Sequence, residues 1–187
     1  MTDAALLTRA ALAAAEAHAG QTRKGGAIPY VNHVLEVAHL VAEAKGTPEM
    51  VAAAFLHDVV EDSDATTESL ARDFGPCVAK LVGEMTDDPA WDILPRAEKK
   101  KRQADHMTDA PRAVRRIKIA DQTSNVRDVG RLPEGWTPDE ARDYIAGAAL
   151  VVDACRGADA WLEAAFDAAR DEALASLDAR EQGGDPC

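Results

Sequence analysis

Three separated stretches of the chain set metal-type ligands beside apolar sequence: His33 in YVNHVLEVA, the adjacent pair His57-Asp58 in FLHDVV, and Asp121 in IKIADQTSN. Two imidazoles and two carboxylates form a nitrogen and oxygen set without sulfur. That set suits a six-coordinate divalent ion such as manganese or iron, with positions open to water and substrate, better than a closed tetrahedral zinc site. It also answers a problem of burial. A histidine and an ionised aspartate straight after an apolar run such as VAAAFL cost several kcal/mol unless hydrogen bonds, an opposite charge or a metal compensates them.

Glu61 and Asp62 each follow a ligand by four positions, His57 and Asp58 respectively. On a continued helix each shares a face with its ligand. If the helix breaks at Val60 they stand at the rim of the site, and in either geometry a base comes within reach of water activated by the ion. Asp121 and Asn125 share the same spacing, so the amide looks toward the open side of the ion, where it can donate and accept as a ribose or base edge requires. Each signal alone has a plain structural explanation. A helical histidine is more often a packed or surface residue, EDSD alone is an acidic turn, and Asn125 can hydrogen-bond within a bundle. The order His, His-Asp, Asp favours chemistry, and His18, His39 and His106 read as bystanders.

Helices must bring these residues together. Residues 2–19 read as an alanine-rich helix ended by Gly20, and QTRKGGAIP as a loop. The next helix carries His33 in its first turn, turns Val34, Val37, Ala38 and Val41 inward, and stops at Gly46. Thr47-Pro48-Glu49 supplies an N-cap, a first-position proline and a first-turn acid, which predicts a helix running to about Val60, with EDSDATT as a turn. Short helices are expected over 66–73 and 76–85, and a basic helix over 95–107. A helix over 112–129 should bury Val114, Ile117, Ala120 and Val126. Another, over 138–155, opens on the capping box Thr137-Pro138-Asp139-Glu140, and a last one covers about 158–180.

The composition agrees. The chain has 187 residues, 47% of them hydrophobic, enough for one core that buries roughly 70% of the unfolded surface. Aromatics make up 4%, and alanine outweighs β-branched runs, so the expected fold is all-α and single-domain, over residues 1–180 with a flexible tail at 181–187. Cys77, Cys155 and Cys187 form no CxxC pair, which argues against a thiolate zinc site or a disulfide scaffold. The amino terminus lacks the pattern of a signal peptide and no stretch reaches the ~20 apolar residues of a membrane span, so the expected setting is cytoplasmic. A net charge of −12 disfavours nucleic acid as a partner. A polyanionic ligand must therefore meet a local basic patch, with candidates at 22–26, 96–102 and 112–118, each of which is a solvated helix face on the plain reading.

The segments AHAGQTRKGGAIPYVNHVLEVA, AAAFLHDVVEDSDAT, FGPCVAKLVGEMTDD, LPRAEKKKRQADH, IKIADQTSNVRDV and EGWTPDEARDY together resemble the HD-type metal-dependent phosphohydrolases. More narrowly they resemble the hydrolase domain of RelA/SpoT alarmone enzymes, in the small stand-alone branch related to the metazoan SpoT homologue. The resemblance implies an all-helical HD-type bundle with manganese held by His33, His57, Asp58 and Asp121. It implies Glu61 and Asp62 as the pair that orients or deprotonates the attacking water. It also implies Arg23 and Lys24 beside the nucleotide, Asn125 at a ribose, Tyr144 in the substrate pocket and Arg96 near the phosphates. The implied reaction removes the 3′-pyrophosphate of guanosine tetra- or pentaphosphate. The alternatives are another nucleotide, such as NADPH at its 2′-phosphate, and a catalytically silent nucleotide sensor. The chain departs from the family pattern at Val34, where NHP is common, at Gln122, usually basic, at Thr123, usually apolar and so a change to the pocket wall, and at Glu140, basic in a close relative.

Overall fold

The structure is a computed structural model that describes residues 2–26 and 28–183. Helix α1 (Asp3–Ala17) is capped by the Thr2 hydroxyl and followed by a loop that carries Thr22 back to pair with Pro29. Helices α2 (Val31–Glu43), α3 (Pro48–Leu56) and the single turn α4 (Val59–Asp62) come next, then α5 (Thr67–Phe74) and α6 (Pro76–Met85). A 3-10 turn at Pro89–Trp91 precedes α7 (Arg96–Thr108), α8 (Arg112–Val129), α9 (Pro138–Cys155) and α10 (Ala160–Gly183). The architecture is the expected all-α single bundle, and the caps at Thr47 and Thr137 form as the sequence dictates. Helix α10 runs past the expected end at 180, and residues 184–187 of the expected tail lie outside the described residues. No helix among the described residues is long and apolar enough to cross a membrane.

Helix α8 is the spine. It packs against α2, α3, α6, α9 and α10, and every residue from Ile117 to Ser124 is buried. A helix covered on all sides is ordinarily apolar. This one buries Lys118, Asp121, Gln122, Thr123, Ser124 and Asp128, so each must find a partner within the protein. Thr123 does so on its own helix, its hydroxyl donating to the Ile119 carbonyl at 2.7 Å, and it takes no part in the wall of the cavity described below.

Most expected helix ends shift by one to three residues, and Glu61 and Asp62, expected in a turn, close the helical turn α4; two further differences have a visible cause. The helix begun at Pro48 stops at Leu56 rather than Val60. His57 Nδ1 donates to the Ala54 carbonyl at 2.8 Å, the oxygen that the Asp58 N–H would reach in a continued helix, so the imidazole ends α3 and α4 starts anew at Val59. After α2 the left-handed residue is Lys45, with φ 60°, and not Gly46. Gly46 is there for space, because a Cβ would stand 2.6 Å from Val41 Cγ1.

Candidate metal centre and adjoining cavity

His33 from α2, His57 and Asp58 from the joint after α3, and Asp121 from α8 meet at one point. His33, His57 and Asp58 offer ligand atoms within 4.8 Å of one another. Asp121 Oδ1 approaches both imidazoles from the spine, 3.4 Å from His33 Nε2 and 3.8 Å from His57 Nε2. Asp58 Oδ2 lies 3.6 and 3.1 Å from the same two atoms.

The donor chemistry fits a divalent ion. The Ala54 carbonyl can only accept, so His57 Nδ1 carries hydrogen and Nε2 turns its lone pair inward. His33 Nδ1 donates to Ser124 Oγ at 3.0 Å, whose own hydrogen goes to Glu36 Oε2 at 2.6 Å, and Arg127 holds the other Glu36 oxygen at 2.8 Å. That relay sets the His33 tautomer in the same sense, as outer partners do for metal-bound histidines. His57 Nε2 is buried without a hydrogen-bond partner although two carboxylates face it. Burial opposes charge on His57, yet Asp58 and Asp121 hold its imidazolium up to about 10. Burial likewise opposes charge on Asp121, and Lys118 and the two imidazoles nonetheless keep it well below the usual carboxylate range. The point demands positive charge, which a cation supplies in place of a proton.

Beside it opens a cavity of about 170 Å³ lined by Lys24, Lys99, Lys100 and Lys118 against Asp58, Glu61, Asp87 and Asp121, with Tyr30, Gln103, Gln122 and Asn125. Four lysines face four carboxylates, so the charge of a bound divalent ion becomes the net attraction for a polyphosphate. Asn125 Nδ2 donates to Asp121 Oδ1 at 2.6 Å, the i, i+4 pairing that the spacing predicts. Lys100, 8% exposed, has its ammonium pushed down to about 8 by burial. Its stem crosses Gly147, where a Cβ would lie 2.9 Å from Lys100 Cγ, and its ammonium stands 5.2 Å from the centre of the Tyr144 ring.

Lys100 also lines a second cavity of about 460 Å³, with Arg96, Ala97, Asp143, Ala146, Gly147 and Leu150, between α7 and α9. Arg96 lies 4.7 Å over Trp136 and 5.8 Å over Tyr144, and Lys24 Nζ lies 3.4 Å from the Tyr144 hydroxyl. Arg23 is placed differently. Its Nε donates to Asp128 at 3.1 Å and its Nη2 to the Ser124 carbonyl at 3.3 Å, which ties the loop to α8. Glu61 lines the first cavity and accepts from the Asp87 N–H at 2.8 Å, whereas Asp62 turns toward His18, 3.5 Å away. Glu140 is occupied in its own cap, accepting from Thr137 N at 2.8 Å.

Sequence reasoning missed several contributors. Tyr30 donates to Asp58 Oδ2 at 2.5 Å, and the signal was its place three residues before His33, one turn along the same face. Lys118 stands three before Asp121 and reaches it at 3.5 Å, within a run that reads as a surface stripe. His18, set aside as a bystander, is buried 4.8 Å from the Tyr30 ring; His39 and His106 are exposed.

The family described as HD domain matches residues 10–146. The chain is 38% identical to the guanosine-3′,5′-bis(diphosphate) 3′-pyrophosphohydrolase MESH1 of Homo sapiens over 88% of this chain and 93% of that one. It is 38% identical to the protein of the same name from Xenopus tropicalis over 89% of this chain and 93% of that one. It is 39% identical to the bifunctional (p)ppGpp synthase/hydrolase SpoT of Escherichia coli over 73% of this chain, but only 19% of SpoT. A solved structure described as a metazoan orthologue of SpoT that hydrolyses ppGpp superposes with a TM-score of 0.82 at 38% identity, over 91% of this chain and 97% of that one.

Proposed function

The chain belongs to the HD-domain family, in the branch of small alarmone hydrolases, and from that premise we propose that it hydrolyses the 3′-pyrophosphate of guanosine tetra- and pentaphosphate to GDP or GTP. The observation that carries the reading is the lysine-lined cavity opening on the convergent His33, His57, Asp58 and Asp121. Those four residues would hold one divalent ion, manganese by preference, with Fe2+ or another divalent ion as a substitute. When bound, the ion supplies Lewis acidity toward a phosphoryl oxygen and eases deprotonation of water.

The rest is done by the chain. Lys24, Lys99, Lys100 and Lys118 hold the pyrophosphate in the 170 Å³ cavity. The nucleoside extends past Lys100 into the 460 Å³ groove, with Asn125 at the ribose and Arg96 and Tyr144 at the junction. Arg23 serves by fixing the loop that presents Lys24. Water adds to the phosphorus carried on ribose O3′, the O3′–P bond breaks, and O3′ gains a proton as the water loses one. Glu61 accepts that proton. Solvent reaches it, yet the protein around it and the charge of Asp58 push its acid up to about 7, so at neutral pH it can both take and return a proton. Asp62, at the rim, orients the water. The reading places the protein in the cytoplasm, acting on a small nucleotide and on neither nucleic acid nor membrane, with residues 1–180 as the working domain.

The test is pyrophosphate release from guanosine tetraphosphate with Mn2+. Rapid release that an Asp58→Ala variant lacks is the expected result, and a wild-type rate no greater than that control refutes the reading. NADPH in a parallel arm separates 3′-pyrophosphate chemistry from 2′-phosphate chemistry.

A further inference from the structure

Position 122, deep in the spine helix α8, carries a neutral amide with 1% exposure. Gln122 Oε1 accepts from Lys100 Nζ at 2.8 Å, and its Nε2 donates to Asp121 Oδ2 at 2.8 Å. The orientation follows from the partners, because an ammonium can only donate and a carboxylate only accept. Oδ1 of the same carboxylate faces the two imidazoles and accepts from Asn125. With Oδ2 pinned by Gln122 and approached by Lys118 at 3.5 Å, the rotation of the Asp121 carboxylate is set.

On the other side, Gly147 bounds the Lys100 stem, the Tyr144 ring flanks its ammonium, and Gln122 holds its tip. A basic residue at 122 could donate to Asp121 but would repel Lys100. A carboxylate could hold Lys100 but would confront Asp121. Only a side chain with both a donor and an acceptor serves both partners. We infer that Gln122 is a positioning residue, a neutral clamp that couples the rotation of the metal-side carboxylate to the aim of the phosphate-side ammonium. Metal occupancy and phosphate binding are then linked through one amide, and each strengthens the other.

This inference rests on the proposed hydrolysis, so its test needs a part that does not. Gln122→Met keeps the volume and the charge and removes both hydrogen bonds. Its affinity for Mn2+, measured against a competing chelator without substrate, is expected to fall about tenfold or more. Its KM for guanosine tetraphosphate is expected to rise by a similar factor in the wild-type background and by less than about twofold in a Lys100→Met background, because the clamp then has nothing to aim. Gln122→Asn, too short to span both partners, should shift both quantities in the same direction and decides the matter if the methionine variant fails to fold. A residue that merely fills space would lower the melting temperature but leave ion affinity unchanged, and its KM effect would multiply in full with that of Lys100→Met; either result overturns the clamp. If the wild-type protein does not hydrolyse the nucleotide, the functional reading fails, and Mn2+ affinity together with binding of inorganic pyrophosphate still tests Gln122.

Discussion

Gly147→Ala separates stability from function at a point the eye passes over. Gly147 lies in the interior of α9 without a positive φ, so alanine meets no backbone strain there, and helix propensity alone favours it by about 1 kcal/mol. Against that gain, the new Cβ would stand 2.9 Å from Lys100 Cγ and 3.4 Å from Lys100 Cβ, and overpacking of this kind costs about 1–3 kcal/mol. The two terms nearly cancel, and for a chain of this size the melting temperature should move by no more than about 8 °C. The lysine cannot stay where it is. Restoring ordinary contact displaces its stem by about 0.5 Å, which stretches the 2.8 Å bond from Lys100 to Gln122 to the edge of hydrogen bonding. Losing one well-placed contact of an ammonium with the pyrophosphate is worth about 1.4 kcal/mol, a tenfold rise in KM. Steady-state assays beside thermal melts decide it. A KM within about twofold of wild type in a folded Gly147→Ala protein would show that the aim of Lys100 does not matter to binding.

Three further outcomes are expected. Lys100 holds its charge only below about 8, so KM should climb as pH rises through that value, and the climb should be absent in Lys100→Met, as a pH series of kcat/KM will read. Its depressed value also means that the unfolded chain binds the extra proton between about 8 and the ordinary lysine range near 10.5, so this group adds stability as pH rises across that window. Exhaustive chelation should lower the melting temperature, since an ion present at a hundred times its Kd contributes about 2.7 kcal/mol, and added Mn2+ should restore it. Tyr30→Phe removes the 2.5 Å donor to Asp58 and, with the hydrogen bond to a charged group worth about 1.5–3 kcal/mol, should reduce kcat at least tenfold with a smaller change in KM.

The convergence of His33, His57, Asp58 and Asp121 was legible because these are rare residue types in apolar settings, and burial of charge demands an explanation wherever it occurs. The helix over 112–129 was legible from its apolar spacing and that over 138–155 from its capping box and proline, and both match residue for residue. The lysines were harder to assign. Lys99, Lys100 and Lys118 sit in runs that read as solvated stripes, and only the crowding of α7, α8 and α9 shows that their tips turn inward. Gln122 was visible as a departure from a pattern. Its two hydrogen bonds belong to tertiary structure, and no spacing rule links residue 122 to residue 100.

The His57 ring does two jobs that cannot be separated by mutation. The same imidazole that turns Nε2 toward the carboxylates of the cluster donates through Nδ1 to the Ala54 carbonyl where α3 ends. Deleting that ring therefore frees the carbonyl for the Asp58 N–H, and α3 and α4 can join into one helix, which shifts Asp58, Glu61 and Asp62. A His57→Ala protein would gain helical content as it loses metal, and its inactivity would overstate what the ligand alone contributes. Any lineage that drops this histidine must replace a joint as well as a ligand.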